Sequence, residues 1–279
     1  MIGGMSMSGD RRNIVWLASY PKSGNTWLRF MLCNLIFGEV NTASVLTRLA
    51  PDIHEPGTEL DAAASAILVK THFMNTPGLP LCERTAAAIY LVRDPADVLT
   101  SNFHYQRRRS GGGEPSAAAL TQYFETFIQH RGDPRWRELG MGSWDENVCS
   151  WLGERRDFPV QCVRYEDLAA DPLKVGTMLA GLLRPQSSPE EIARAVANSS
   201  FQRLREIEAA DIRERRVGIF YKPYLQPSID AGLRFMRAGT TGGGAAALSV
   251  EQRTRVQSAF GPLLQQLGYA GSAPVSGRR

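Results

Sequence analysis

Hydrophobic positions along the chain fall into two patterns. Four short runs are apolar at almost every position: 14–20 (I-V-W-L-A-S-Y), 66–71 (A-I-L-V-K-T), 87–92 (A-A-I-Y-L-V) and 160–165 (V-Q-C-V-R-Y). Their length and their β-branched or aromatic content predict strands, and the lack of a regular polar alternate predicts burial on both faces. Between them lie helical stretches. Residues 26–37 read as a helix stopped by Gly38, and a second helix over about 96–107 follows Arg93-Asp94-Pro95. Ser143, Ser188 and Ser249 each precede an acid or amide three residues on (Glu146, Glu191, Gln252), the reciprocal capping pattern that opens helices near 144–155, 189–198 and 250–267. Strands alternating with helices predict an α/β fold, a central parallel sheet flanked by helices. The glycine-containing segments 108–118 and 239–247 read as loops. With no repeat and no shift in composition, the expectation is a single domain over 11–269, a flexible leader at 1–10 and a flexible tail at 270–279.

Composition narrows this picture. The chain has 279 residues, 43% apolar and 22% charged, which excludes a disordered or fibrous chain. Basic side chains outnumber acidic ones by 32 to 28, a mild excess that fits an anionic ligand and gives no ground for a nucleic-acid partner. Cys33, Cys82, Cys149 and Cys162 sit in apolar contexts without C-x-x-C spacing, so neither a metal site nor a disulfide framework is expected, and a reducing, cytoplasmic location is. No run reaches the roughly 18 apolar residues of a membrane span, and the stretch after Arg11-Arg12 is too short for a secretory signal.

The chemistry concentrates at the ends of these runs, the edge of a parallel sheet where ligands sit. The first run passes through Tyr20-Pro21-Lys22-Ser23-Gly24-Asn25-Thr26-Trp27 into a helix. Gly24 permits a tight turn, the free N–H groups of the helix start face an anion, Lys22 adds a point charge, and Ser23, Asn25 and Thr26 add short donors. The lysine precedes the glycine, unlike G-x-x-x-x-G-K-[ST], and no Walker-type acid for magnesium is evident, so the site reads as one for a phosphate-like anion handled without metal. Val69-Lys70-Thr71-His72 ends the second run with a histidine able to take a proton near neutral pH. Beyond the third run, Arg93 can grip a phosphate and Ser101, two helical turns on, can add a hydrogen bond; taken alone, Arg93 reads as a salt-bridge partner of Asp97.

The octet closely resembles the 5′-phosphosulfate loop of the cytosolic-type sulfotransferases, which use 3′-phosphoadenosine 5′-phosphosulfate (PAPS), and the resemblance runs from about 14 to 269. It implies a P-loop-like nucleotide-binding fold in which Lys22 holds the 5′-phosphate and assists the leaving group, within a loop completed by Ser23, Gly24, Asn25 and Thr26. Trp27 would pack on adenine, although alone it reads equally as core. His72 matches the catalytic base of the K-T-H motif, Lys70 the lysine that touches the transferring group, and Arg93 with Ser101 the pair that binds the 3′-phosphate. Tyr165, in Y-E-D-L, matches a tyrosine near adenine, which leaves Glu166 and Asp167 structural; Ser199-Ser200-Phe201 resembles T-S-F, whose ring covers the other face. Phe235-Met236-Arg237-Ala238-Gly239 resembles F-x-R-K-G, the segment that closes over the 3′-phosphate, with Ala238 replacing the lysine. The family continues G-D-W-K where this chain has Gly242-Gly243-Gly244-Ala245, and its dimer segment is reduced to Ser249-Val250 between Ala245 and Thr254. Closure of this segment and formation of a homodimer are therefore left open. Ser143-Trp144 with Trp151 matches a family habit and reads as scaffold.

The implied reaction is transfer of a sulfuryl group from PAPS to a hydroxyl of a small molecule, without metal or membrane. Phe73, Phe103, Tyr105, Phe220, Tyr221 and Tyr224 predict an apolar or aromatic acceptor, a phenol, alcohol or natural product. It would be held by the segments 40–62, 73–83, 106–142 and 213–247. His54 and His130 read as surface residues and His104 as structural. The alternatives are a sulfotransferase acting on a glycan, a P-loop-like nucleotide kinase, and a nucleotide sensor without catalysis. The missing magnesium ligands count against the kinase, and His72 against the sensor.

Overall fold

The computed structural model describes residues 12–60, 64–111, 116–154, 156–237 and 239–269. Four strands, β1 (Ile14–Ala18), β2 (Ile67–Thr71), β3 (Thr85–Val92) and β4 (Val160–Arg164), form one parallel sheet in the order β2-β1-β3-β4. Every residue of β1 is buried, because a strand flanks it on each side and helices cover both faces. Alternation along β1 divides the core in two: Val15 and Leu17 belong to one half, Ile14, Trp16 and Ala18 to the other.

The helices among the described residues are α1 (Asn25–Phe37), α2 (Ala43–Leu49), α3 (Pro95–Ser110), α4 (Ala117–Gln129), α5 (Pro134–Glu138), α6 (Trp144–Leu152), α7 (Tyr165–Ala170), α8 (Pro172–Leu183), α9 (Pro189–Asn198), α10 (Phe201–Arg213), α11 (Gln226–Asp230), α12 (Gly243–Ala246) and α13 (Val250–Gln266). Leu28 and Met31 of α1, Leu179 of α8, Ile192 of α9 and Leu204 of α10 pack in the Val15 half. Leu99 of α3, Phe124 of α4, Trp144 and Trp151 of α6 and Phe260 of α13 pack in the Trp16 half. No helix among the described residues is long and apolar enough to cross a membrane.

All five predicted helices form, and all three reciprocal caps close, at Ser143, Ser188 and Ser249. Some boundaries differ. The helix α6 stops at Leu152, before Gly153. The helix α3 continues to Ser110, where Gly111 at φ 68° ends it, so the start of the expected 108–118 loop is helical. The expected 239–247 loop contains α12. The helices α2, α4, α8 and α10 were not predicted; each opens on a single side-chain cap (Thr42, Ser116, Asp171, Ser200) and carries no reciprocal acid or amide. The expected leader and tail lie outside the described residues. All four cysteines are unpaired, and Cys149 is exposed, because it faces outward on α6.

Two braces hold the carboxyl ends of the strands. On α6, the Trp144 indole donates to the Arg93 carbonyl (3.2 Å), the Asn147 amide to the His72 carbonyl (2.9 Å), and the Trp151 indole to the Phe73 carbonyl (2.9 Å). Asn147 is oriented in turn by the Tyr90 hydroxyl, 2.8 Å away. The second brace is the buried carboxylate of Asp133. It accepts from Asn102 (2.6 Å), Gln106 and Tyr123 (2.7 Å), while its own N–H donates to the Tyr20 hydroxyl (2.9 Å). It thereby ties α3 and α4 to the loop after β1. Removing the carboxylate orphans several buried donors at once, so Asp133→Ala should lower folding stability by about 3 kcal/mol. Urea unfolding followed by circular dichroism measures this; an unchanged midpoint would contradict the role.

Candidate active site

The ends of β1, β2, β3 and β4 deliver Lys22, His72, Arg93 and Tyr165 to one edge of the sheet, and all four line a single cavity of about 600 Å³. The turn from β1 into α1 is unusual. Gly24 has φ 99°, and a Cβ there would lie 2.5 Å from the Tyr165 ring, so ring and turn fit only with glycine. Lys22 itself adopts φ 70°. Tyr165 carries the Arg93 guanidinium on its ring (3.9 Å) and meets Trp27 edge-on (5.7 Å).

Across the cavity, the His72 Nδ1–H donates to the Ser19 carbonyl (2.7 Å), with the Ser19 hydroxyl 3.2 Å away. This leaves the Nε2 lone pair as the proton acceptor. The His72 backbone N–H donates to Nε2 of His54 (2.8 Å). The sequence reads His54 as a surface residue, but the structure places it against His72 in the cavity wall. Residues around Asp52 bridge to Lys70 on the outer edge of β2, bringing His54 against Phe73 (4.2 Å) and His72 (5.6 Å). Asp52 accepts the His54 N–H (3.0 Å) and pairs with the Lys70 ammonium (2.9 Å). A single bridge outside the sheet has no hydrophobic period, which is why sequence patterning misses it.

Positive charge dominates the cavity. Burial, then Arg108, Arg93 and Lys70, pull the Lys22 ammonium down to about 7. Burial, then Lys70 and His54, hold His72 well below the ordinary imidazole value, and burial with Lys70 brings His54 to about 4. Both imidazoles are thus neutral at neutral pH. Lys22 rests over the rings of Tyr105 (4.0 Å) and Phe235 (4.6 Å).

The glycine-rich segment after Gly239 closes one side. Asp97 accepts the N–H groups of Gly242 (2.9 Å) and Gly244 (2.5 Å), and Arg93 bonds the Thr240 carbonyl (3.0 Å) and lies 3.4 Å from Asp97. A Cβ on Gly244 would sit 2.3 Å from the Ala96 carbonyl oxygen, so the glycine standing where the family has tryptophan allows the segment to lie directly on α3. Gly239 at φ 67° packs against the Phe201 ring.

Of the other residues singled out in the sequence, Asn25, Thr26, Lys70, Ser101, Arg237, Phe73, Tyr105 and Tyr224 also line the cavity. Several do not. Ser199 is fully buried and its hydroxyl bonds the Ala195 carbonyl (2.8 Å) within α9. Phe103 packs on Tyr123, Phe220 stacks on Phe30 in the core, and Tyr221 sits in a separate cluster with Leu225 and Ile229. Ser23 is buried beside the cavity without lining it, and Ala238 lies outside the described residues. Arg29, Arg108, Arg109, Glu55 and Lys222 line the cavity and carry no motif that would announce them.

Buried polar atoms without a protein partner concentrate here: Ser23 Oγ, Asn25 Oδ1, Trp27 Nε1, Arg29 Nη2, Arg93 Nε and Arg108 Nε. Only Ser187 Oγ is found elsewhere among the described residues. Such atoms are costly unless a ligand completes them; a polyanion suits the Trp27, Arg29, Arg93 and Arg108 donors, while Asn25 Oδ1 needs a donor from the ligand.

Comparison with known proteins gives a family and a fold. A family profile described as the sulfotransferase domain matches residues 12–268. The chain is similar to sulfotransferase 2A2 of Mus musculus, 28% identical over 252 residues, covering 88% of this chain and 81% of that protein. It superposes on mouse sulfotransferase SULT7A1 complexed with PAP at a TM-score of 0.65, 21% identity, covering 98% and 93% of the two chains. Retinol dehydratase in complex with androsterone and the inactive cofactor PAP aligns at 0.67, 18% identity, covering 94% and 83%.

The charge crowding is testable directly. Competitive acetylation across pH, read by peptide mass spectrometry, should give Lys22 a midpoint near 7 and not near its ordinary 10.5. A midpoint that stays at the ordinary value would show that neither burial nor the neighbouring cations act on it.

Proposed function

The chain belongs to the sulfotransferase family, and on that premise we propose that it transfers a sulfuryl group from PAPS to a hydroxyl of a small-molecule acceptor. The observation that carries this reading is the convergence of Lys22, His72 and Arg93 on one cavity whose buried donors lack protein partners. PAP is the nucleotide named in both solved relatives, and one of them also holds androsterone. When bound, PAPS supplies the sulfuryl group and departs as adenosine 3′,5′-bisphosphate.

The residues divide the work. Lys22 and the N–H groups at the start of α1 hold the 5′ side and stabilise charge as it develops on the leaving phosphate. Burial and the neighbouring cations lower Lys22, and the ligand's negative charge acts against both, so the lysine works as a cation once the site is filled. Arg93, Ser101, Arg237 and Gly239 surround the 3′-phosphate, and Trp27, Tyr165 and Phe201 frame the base. His72 Nε2 takes the acceptor's proton, its tautomer set by the Ser19 carbonyl. Lys70, tied to Asp52, adds positive potential beside the transferring group. Phe73, Tyr105 and Tyr224 provide an apolar wall for the acceptor.

The direct test is incubation with PAPS and a panel of phenols and alcohols, with adenosine 3′,5′-bisphosphate and sulfated product measured by mass spectrometry. Lys22→Ala should lower kcat by the equivalent of roughly 3–4 kcal/mol, and His72→Ala should remove most turnover while leaving binding of adenosine 3′,5′-bisphosphate nearly intact. Because neutral imidazole is the active form and the field of the site lowers its pKa, kcat should rise with pH through one ionisation below about 6.5 and then stay flat. Full activity of the His72 variant on an aliphatic alcohol would overturn its assignment. Adenosine 5′-phosphosulfate, which lacks the 3′-phosphate, should be a much poorer donor, and Arg93→Ala should erase the difference; equal use of both donors by the unaltered protein would reject the 3′-phosphate site.

A further inference from the structure

We infer that the acceptor carries a carboxylate or a similar anionic group in addition to its hydroxyl, and that Arg108 with Arg109, at the far end of α3, recognises it. The inference rests on the sulfotransferase reading and assigns the acceptor class within the same cavity.

Charge matching leads there. Among the cations lining the cavity, Lys70 is paired with Asp52 (2.9 Å) and Lys222 with Glu55 (3.1 Å). Arg29 gives its Nε to the Ala50 carbonyl (2.6 Å) and lies in the field of Asp52 and Glu55. Lys22, Arg93 and Arg237 are taken by the nucleotide. Arg108 and Arg109 remain, and neither has a carboxylate within salt-bridge distance among the described residues. Glu208, whose field reaches Arg108, gives its two oxygens to the N–H groups of Phe235 (2.6 Å) and Met236 (2.9 Å).

Arg108 is only 3% exposed. One Nη donates to the Phe220 carbonyl (2.7 Å), while Nε is buried without a partner. A buried guanidinium with no carboxylate at salt-bridge distance is expensive, and part of that cost is recovered when an anion arrives. The last turn of a helix favours cations, which accounts for Arg109 as a surface charge. It does not account for a buried Nε on the cavity wall.

Position separates Arg108 from the 3′-phosphate residues, although its charge acts on Lys22. Arg108 follows Ser101 by seven residues, two turns along the same face of α3 and about 10 Å farther from the helix start, where Arg93 and Asp97 lie. Tyr105 links it to the transfer centre: Lys22 lies 4.0 Å from its ring and Arg109 6.0 Å. Tyr105 therefore lies between the lysine and Arg109, and Phe235 between the lysine (4.6 Å) and Arg108 (5.8 Å). An acceptor with a hydroxyl at one end, an apolar body and an anion at the other matches that spacing.

The experiment uses the full chain saturated with adenosine 3′,5′-bisphosphate and two matched pairs of probes, 4-hydroxyphenylacetate with 4-ethylphenol and 8-hydroxyoctanoate with 1-octanol. Isothermal titration should show at least one acid binding about tenfold or more tightly than its neutral partner, as a charge-assisted hydrogen bond in a buried site requires. Arg108→Gln should reduce that preference to about twofold and leave the affinity for adenosine 3′,5′-bisphosphate unchanged. Because Arg108 also holds the Phe220 carbonyl, Arg109→Gln serves as a second variant, expected to weaken the preference without disturbing the fold. Equal or weaker binding of the acids, or binding of none of the four probes, overturns the inference. So does loss of nucleotide affinity in Arg108→Gln with the acid preference intact, since the arginine would then serve the nucleotide. If adenosine 3′,5′-bisphosphate does not bind at all, the sulfotransferase reading fails separately, and the same comparison on the nucleotide-free protein still decides the anion site.

Discussion

Like charges brought together away from water repel one another strongly, and at the carboxyl edge of this sheet the fold accepts that cost. Eight lysine and arginine side chains line one cavity, against two carboxylates, Asp52 and Glu55. The arrangement around them limits the repulsion. Asp52 is buried against Lys70, Asp97 stands behind Arg93, and aromatic faces lie under Lys22 and Arg93. The remaining imbalance appears in the lowered Lys22 and in two neutral histidines. A ligand that brings negative charge meets donors already held in place, so its binding energy is not consumed in arranging them.

Asp97 shows how one carboxylate can organise several parts of such a site. It is almost fully buried, lies beside Arg93, and accepts two N–H groups from the segment that follows Gly239. The position of that segment is thus coupled to the position of the arginine. Gly244 is what makes this possible, because its backbone lies against the backbone of Ala96 and Asp97. A departure from the familiar family sequence is therefore accompanied here by a backbone packing of its own.

The parts of the molecule visible in the sequence are those written in local patterns. The four strands carry continuous apolar runs, and three helices announce themselves by reciprocal caps. Lys22, His72, Arg93 and Tyr165 stand at strand ends, so a correct reading of the strands already places them on one edge. His54 depends on a lone bridge to Lys70 and Arg108 on the bend of the chain at Phe220, and neither contact has a period or a motif. Phe103, Phe220 and Tyr221 show the converse error. Aromatic rings near variable segments were assigned to a binding wall, but packing against Tyr123, Phe30 and Leu225 takes them into the interior.

The grip of α6 on the strand ends separates two tasks that many folds combine. The carbonyls of His72, Phe73 and Arg93 are bound by side chains of Trp144, Trp151 and Asn147. None of these bonds involves the segments at 40–60 or 213–237, which line much of the cavity beyond the strand ends. These carbonyl anchors are consequently independent of both segments, whereas the His72 N–H and the Lys70 ammonium are held from the 40–60 segment by His54 and Asp52. The 213–237 segment can be exchanged for one of other length and composition, by evolutionary drift or by laboratory grafting, while the carbonyls of the histidine and the arginine keep their anchors on α6. The fold behaves as a fixed chuck into which different tools can be set.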